Sequence, residues 1–262
     1  MKKNKDSLGD RMKKNYEDRS KTYLTRRVYN IIRIDGRSFK NYTRGLERPF
    51  DMGLIDDMDN TAVYLCEKIQ GVKCAFVQSD EISILVTDFD ELNTSMWFDG
   101  SVQKIVSVSA SMATSKFNHL RILRNIDKNN DLINDFCITD IYNIISHMSV
   151  AEFDSRVFTL PTKSEVANYF LWRQQDTTRN SISSVAQSLY SHKELEFKNT
   201  DQMQEMIFQK GINWNDYDNK LKRGRMIVKK QLENGRNEWV SEGSPIFSQD
   251  WIYINNLIPE NK

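Results

Sequence analysis

No stretch of this sequence approaches the ~18 consecutive apolar residues that a membrane-spanning helix requires, so no membrane partner is expected. The first 27 residues carry ten basic and four acidic side chains and no apolar h-region, unlike an ordinary secretory leader, so a soluble, cytoplasmic protein is expected. Cysteine is scarce: Cys66, Cys74 and Cys137 are odd in number and lack CxxC spacing, arguing against a disulfide framework and against structural zinc. The three histidines, His119, His147 and His192, have no ligand spacing. Net charge is nearly absent too, with 37 Lys and Arg against 36 Asp and Glu, so any polyanion must be met by local patches rather than by the field of the whole molecule.

What is present is enough apolar content, 39% over 262 residues, for one large domain or a domain with an appended lobe. "YNIIRI" (29–34) reads as a mostly buried strand that ends in an Asp35-Gly36 turn. Between Asp51 and Gln70 the apolar positions Ile55, Met58, Ala62, Leu65, Cys66 and Ile69 recur at helical spacing, and Gly71 ends the helix. "KCAFVQ" (73–78) and "ISILV" (82–86) predict two antiparallel strands joined through Ser79-Asp80-Glu81. A helix over 102–120, a polar irregular stretch around 127–135 and a strand over 156–160 complete a β-α-β-β-α-β order. Thr162-Lys163-Ser164-Glu165 opens a further helix as a capping box; helices over 181–190 and 200–210 follow. A hairpin over 225–240 turns at Asn234-Gly235, a type I′ signal.

This order brings two carboxylates together. A crossover helix between strands of one sheet leaves the 29–34 and 73–78 strands parallel, so Asp35 and Asp80 finish at the same edge, with the strand after Glu81 running back beside the first. Facing carboxylates repel unless a hard cation such as Mg²⁺ lies between them. The other reading is an ordinary Asp-Gly turn beside an exposed hairpin tip.

The segments "RIDGRSF" (33–39), "RPFD" (48–51), "QSDEISIL" (78–85), "FDSRV" (153–157) and "YFLWRQQD" (169–176) together resemble the tRNA-histidine guanylyltransferase family over roughly residues 8–230. The resemblance implies an α+β fold: a polymerase-like palm over 1–160, with a ferredoxin-like split β-α-β sheet and helices on one face. A smaller helical and β-hairpin lobe over 161–262 packs on it as one unit. It implies catalytic Asp35 and Asp80, with Glu81 as an accessory candidate, and two Mg²⁺ ions held by Asp35, the Gly36 carbonyl and Asp80. Nucleotide triphosphate, ATP or GTP among them, would be bound by Arg33, Asp35, Gly36, Arg37, Ser38, Phe39, Lys40, Arg48, Ser79, Asp80 and Lys104. Arg156, Arg173 and Asn180 would face tRNA.

One departure narrows the reading. Where eukaryotic members carry His-Ile-Asn-Asn-Leu-Tyr-Asn, this chain has Thr177-Thr178-Arg179-Asn180-Ser181-Ile182, which resembles the guanylyltransferase-like branch. That branch implies templated 3′-to-5′ addition of nucleotides to 5′-truncated tRNA. The alternatives are addition of a single guanosine to tRNA-histidine, a non-catalytic tRNA-binding protein, or a nucleotide cyclase on a related palm. Family likeness further implies a homotetramer. The basic run over 220–230 could touch RNA phosphates or be a solvated face.

Overall fold

In a computed structural model the described residues are 7–130, 138–232 and 235–261. Six strands form one sheet in the order β4-β1-β3-β2-β5-β6. They are β1 (Tyr29–Gly36), β2 (Val72–Gln78), β3 (Glu81–Val86), β4 (Phe153–Leu160), β5 (Arg225–Gln231) and β6 (Asn237–Gly243). Every neighbouring pair is antiparallel. β1 and β2 therefore run the same way with β3 between them, which is the split β-α-β expected. The hairpin β5-β6 pairs with β2 and continues the same sheet.

The crossover helix α1 (Met52–Lys68) begins where the Asp51 carboxylate accepts the Leu54 N–H at 2.7 Å, satisfying a donor the helix cannot use itself. It ends at Lys68 with Ile69 as its C-cap, and Gly71 then turns the chain into β2, its φ of +82° and position against the Thr87 carbonyl leaving no room for a Cβ. The second crossover helix, α2, runs over Val102–Asn130, well beyond the expected end at 120. Its extension is held by charge: buried Asp57 on α1 accepts from Arg121 at 3.0 Å and from Arg124 at 2.9–3.1 Å. The first residues of the expected irregular stretch are thus helical, while 131–137 lie outside the described residues, as does Cys137. A helix not foreseen, α3 (Ile138–His147), precedes β4.

α4 spans Lys163–Leu189 without interruption, joining the two helices expected there. Thr162 caps it by accepting the Glu165 N–H at 3.2 Å, as the capping box predicts. α5 (Thr200–Gln209) and α6 (Trp251–Leu257) complete the longer helices. The hairpin forms as expected, although Asn234 lies outside the described residues; Gly235 takes φ +78°.

Two cores sandwich the sheet. On one face Ile32, Ile34, Val77, Ile82 and Ile84 pack against α1 and α2 through Met58, Leu65, Ile105 and Phe117. On the other, Ile31, Phe76, Leu85 and Met226 meet Val166 and Phe170 of α4 and Ile254 of α6. The crossover helices do lie on one face, as expected; the helix assigned to the second lobe covers the opposite face. A third cluster joins the end of α4 to α5 through Ile182, Val185, Ile207 and Trp214. Among the described residues no helix is long and apolar enough to cross a membrane.

Candidate active site

Strand register writes a charge lattice on the α4 face of the sheet. Asp35 of β1 stands opposite Glu81 of β3 and Asp154 of β4; two residues along, Arg33 stands opposite Ser83 and Arg156. Positions two apart share a face, so the acidic row Asp154-Asp35-Glu81 lies beside a row carrying two arginines. Arg33 Nη2 is 2.7 Å from Glu81 and 3.7 Å from Asp35; Arg156 Nη2 is 3.0 Å from Asp154 and 3.9 Å from Asp35. Asp35 is thus flanked by two cations, both farther from it than hydrogen-bonding distance.

Glu81 is not an exposed hairpin tip: it is 4% exposed. Arg173 of α4 donates to it bidentately, Nε at 2.8 Å and Nη2 at 2.7 Å, and Ser83 Oγ donates at 3.1 Å. The Tyr169 hydroxyl lies 2.8 Å from Ser83 Oγ. Burial pushes that phenol up to about 12, so it stays protonated and donates into the chain Tyr169-Ser83-Glu81. Arg173, expected toward RNA, is 3% exposed, and its guanidinium also meets Asp176 at 3.1 Å.

Asp80 sits on the β2-β3 turn, which Ser79 makes possible by adopting φ +43°. The Gly36 N–H donates to the Asp80 carbonyl at 3.1 Å, tying the end of β1 to that turn. Burial raises the Asp80 pKa; the Ser79 hydroxyl and the local backbone oppose the rise, and the charges of Asp35 and Glu81 add to it. Asp35-Gly36 is itself part of β1 rather than a turn. A Cβ at Gly36 would lie 2.2 Å from Phe39 Cδ2, so glycine here makes room for the Phe39 ring. That ring is buried with Tyr42, Phe117 and Phe153, which leaves only the backbone of Phe39 to meet a ligand.

Both acids open onto one cleft of about 490 Å³. One wall carries Arg33, Asp35, Ser79, Asp80 and Glu81; the other is the polar face of α4, with Arg173, Asp176, Thr177 and Asn180. Arg37 lies outside that lining, largely exposed and paired with Glu152 at 2.5 Å. Ser38 takes a left-handed φ of 53°. Lys40 and Arg48 are exposed, as is Lys104, whose Nζ is 6.0 Å from the centre of the Phe98 ring. Arg156 borders the site through its approach to Asp35.

Several lining residues were not foreseen. The Thr177 hydroxyl hydrogen-bonds Gln78, and Asp59 accepts from Arg225 Nε at 2.8 Å and from Ser241 at 2.6 Å. Arg225, 3% exposed, keeps a buried Nη2 without a hydrogen-bond partner. The sequence did hold a signal: 173, 177, 180, 184 and 187 recur at three and four, a polar face at helical spacing. The 220–230 basic run is not a solvated face throughout, since Lys222 and Arg225 are buried.

Three comparisons bear on this geometry. The family described as tRNAHis guanylyltransferase matches residues 9–161. A bacterial tRNA(His) guanylyltransferase-like protein in complex with ATP superposes with TM-score 0.82 at 41% identity, covering 96% of this chain and 99% of that one. Its GTP complex gives 0.78, with 97% and 99% covered. An uncharacterized protein of Acanthamoeba polyphaga mimivirus is 28% identical over 96% of this chain and 87% of its own length. The probable tRNA(His) guanylyltransferase of Dictyostelium discoideum is 25% identical over 82% and 80%.

Proposed function

The chain belongs to the tRNAHis guanylyltransferase family and is a nucleotidyltransferase, and on that premise we propose that it adds nucleotides to the 5′ end of truncated tRNA in the 3′-to-5′ direction, each chosen by pairing with the opposing base. The observation that carries the reading is the convergence of Asp35 and Asp80, 45 positions apart, on one cleft beside a backbone hydrogen bond that joins their strands. Support for the templated branch comes from the 41% identity to the bacterial guanylyltransferase-like protein, and from the Thr177–Ile182 segment that carries part of the α4 wall.

The donor set suits magnesium. Asp35 and Asp80 offer hard oxygens, and the burial that raises the Asp80 pKa is the conflict a divalent cation relieves. Among the described residues no three acidic, His or Cys side chains converge as a cation site, so an ion here would leave positions for phosphate oxygens and water. Asp35, Asp80 and the Gly36 carbonyl would hold two Mg²⁺. When bound, the ions supply neutralisation of phosphate charge and a lowered pKa for the attacking 3′-hydroxyl.

The chemistry is two in-line displacements. The 5′-monophosphate of the RNA attacks the α-phosphorus of ATP or GTP and pyrophosphate leaves. The 3′-hydroxyl of the incoming NTP then attacks the activated 5′-phosphate, loses its proton, and displaces the nucleoside monophosphate. No covalent enzyme intermediate is needed, so the protein's work is positioning and charge. Arg33 and Ser79 in the cleft, with Arg37, Ser38, Lys40 and Arg48 on the chain leading away from β1, would orient the triphosphate; Lys104, beside Phe98 on α2, is assigned to it by family likeness alone. Arg156 and Asn180 would meet the RNA. Arg173 would act through Glu81, holding that carboxylate off the metal ligands and fixing Arg33. By family likeness the working unit is a homotetramer.

The test is incubation of 5′-truncated tRNA with each NTP and Mg²⁺, using wild type, Asp35→Ala and Asp80→Ala. The expected result is wild-type addition of only the complementary nucleotide and no addition by either variant. Addition that ignores the opposing base, or only of guanosine to intact tRNA-histidine, would overturn the templated reading in favour of its single-guanosine alternative.

A further inference from the structure

A second cavity, about 290 Å³, lies on the far side of α4 from the active cleft. At 100° per residue, Leu171, Gln175 and Thr178 point away from Arg173, Thr177 and Asn180, with Gln174 between the two faces. The two openings are thus separated by about one helix diameter, roughly 10–12 Å. The lining of the second contains two guanidiniums, Arg179 and Arg223, and no carboxylate. Arg179 already has a counter-ion in Asp176 at 2.8 Å.

Arg223 has none among the described residues, and its buried Nε has no hydrogen-bond partner. Burial lowers its pKa with no acidic neighbour to offset it, and burial together with the Arg223 charge does the same to Lys222. A half-buried, uncompensated guanidinium is costly unless an anion completes it. Its position is fixed: the guanidinium carbon lies 5.6 Å from the centre of the buried Trp214 ring, and the Trp214 indole N–H donates to Ser181 of α4 at 3.2 Å. Gln175 and Ser248, both exposed, place neutral polar groups at the rim.

We infer that this cavity binds a backbone phosphate of the RNA substrate, with Arg223 as the ion-pairing donor. A phosphodiester matches the lining, since it carries one negative charge and only acceptor oxygens. A pocket one helix width behind the cleft lies within reach of a strand whose 5′ end occupies that cleft. The inference rests on the RNA-directed reading above and adds to it a site away from the reacting atoms.

The experiment measures binding of 5′-truncated tRNA, by fluorescence anisotropy over a KCl series, and binding of ATP separately. The wild type is compared with Arg223→Gln and Ser248→Asp. Loss of a charged hydrogen bond is expected to weaken RNA binding about tenfold in Arg223→Gln. The slope of log K against log salt is expected to shrink by about 0.7–0.9, the equivalent of one phosphate contact. Ser248→Asp should weaken RNA binding by repulsion without disturbing the Arg223-Trp214 packing, and ATP affinity should hold in both. Unchanged RNA affinity and slope in the folded variants, or an equal loss of ATP affinity, would overturn the inference. Should Arg223→Gln not fold, Ser248→Asp decides. If wild type extends RNA and the variants bind it equally well, only this inference falls; if wild type binds no RNA, it falls together with the RNA-directed reading.

Discussion

Asp80 is a carboxylate whose ionisation works against the fold that holds it. Its folded pKa lies above the ordinary 3.8, so its favourable contribution to stability is present below that value and is lost as pH rises through the folded pKa. In metal-free buffer, Asp80→Asn should therefore melt about 2–4 °C higher than wild type at neutral pH while losing activity, with the gap closing in acid. Thermal melts in EDTA across pH 4–8 check this, and a variant less stable than wild type at pH 7 would contradict it. Glu81 stands instead between two arginines. Removing its charge leaves Arg33 and Arg173 facing each other without their shared carboxylate, and Glu81→Gln should cost about 3–5 kcal/mol in urea denaturation. Adding Arg173→Met should recover part of that loss; simple additivity of the two losses would mean the pair is not coupled.

At the scale of elements, Gly36 and Phe39 show how packing fixes an acidic strand end. Gly36→Ala forces the Phe39 ring out of its site among Tyr42, Phe117 and Phe153, which should cost about 1–3 kcal/mol. Phe39→Leu in the same chain should restore some of that stability, measured by the same urea titrations; no recovery would place the strain elsewhere. The elements of the active edge were legible from their apolar residues: a β-branched run at Ile31, Ile32 and Ile34 that buries both faces of β1, and helical spacing from Ile55 through Ile69 in α1. What was illegible had polar reasons. α4 reads as two helices because 173, 176, 177 and 180 face the cleft, so function has replaced the apolar stripe. In the sequence α2 reads as stopping at 120 because Arg121 and Arg124 hold it to Asp57 by ion pairs, which hydrophobic periodicity does not register. Asp35 and Asp80 could be paired from strand order alone, whereas the Arg173 clamp on Glu81 joins residues 92 positions apart and needed coordinates.

Across the whole molecule, the stretch that the family matches, 9–161, is not self-sufficient. It lacks α4, which caps the second core, and β5, which pairs with β2. A fragment ending at 161 would expose Ile31, Phe76 and Leu85 and leave Glu81 without Arg173. It should be insoluble or bind ANS without a cooperative melt, and a sharply melting, soluble fragment would refute this. The edge that carries Asp35 and Asp80 is therefore completed by the second half of the chain. The link from the Gly36 amide to the Asp80 carbonyl has a consequence of its own. Because it uses main-chain atoms alone, the gauge of the acidic jaw is fixed by peptide geometry, and only a proline at 36 would delete the donor. Side chains around the jaw can be exchanged to retune which nucleotide or strand is admitted while its gape is preserved.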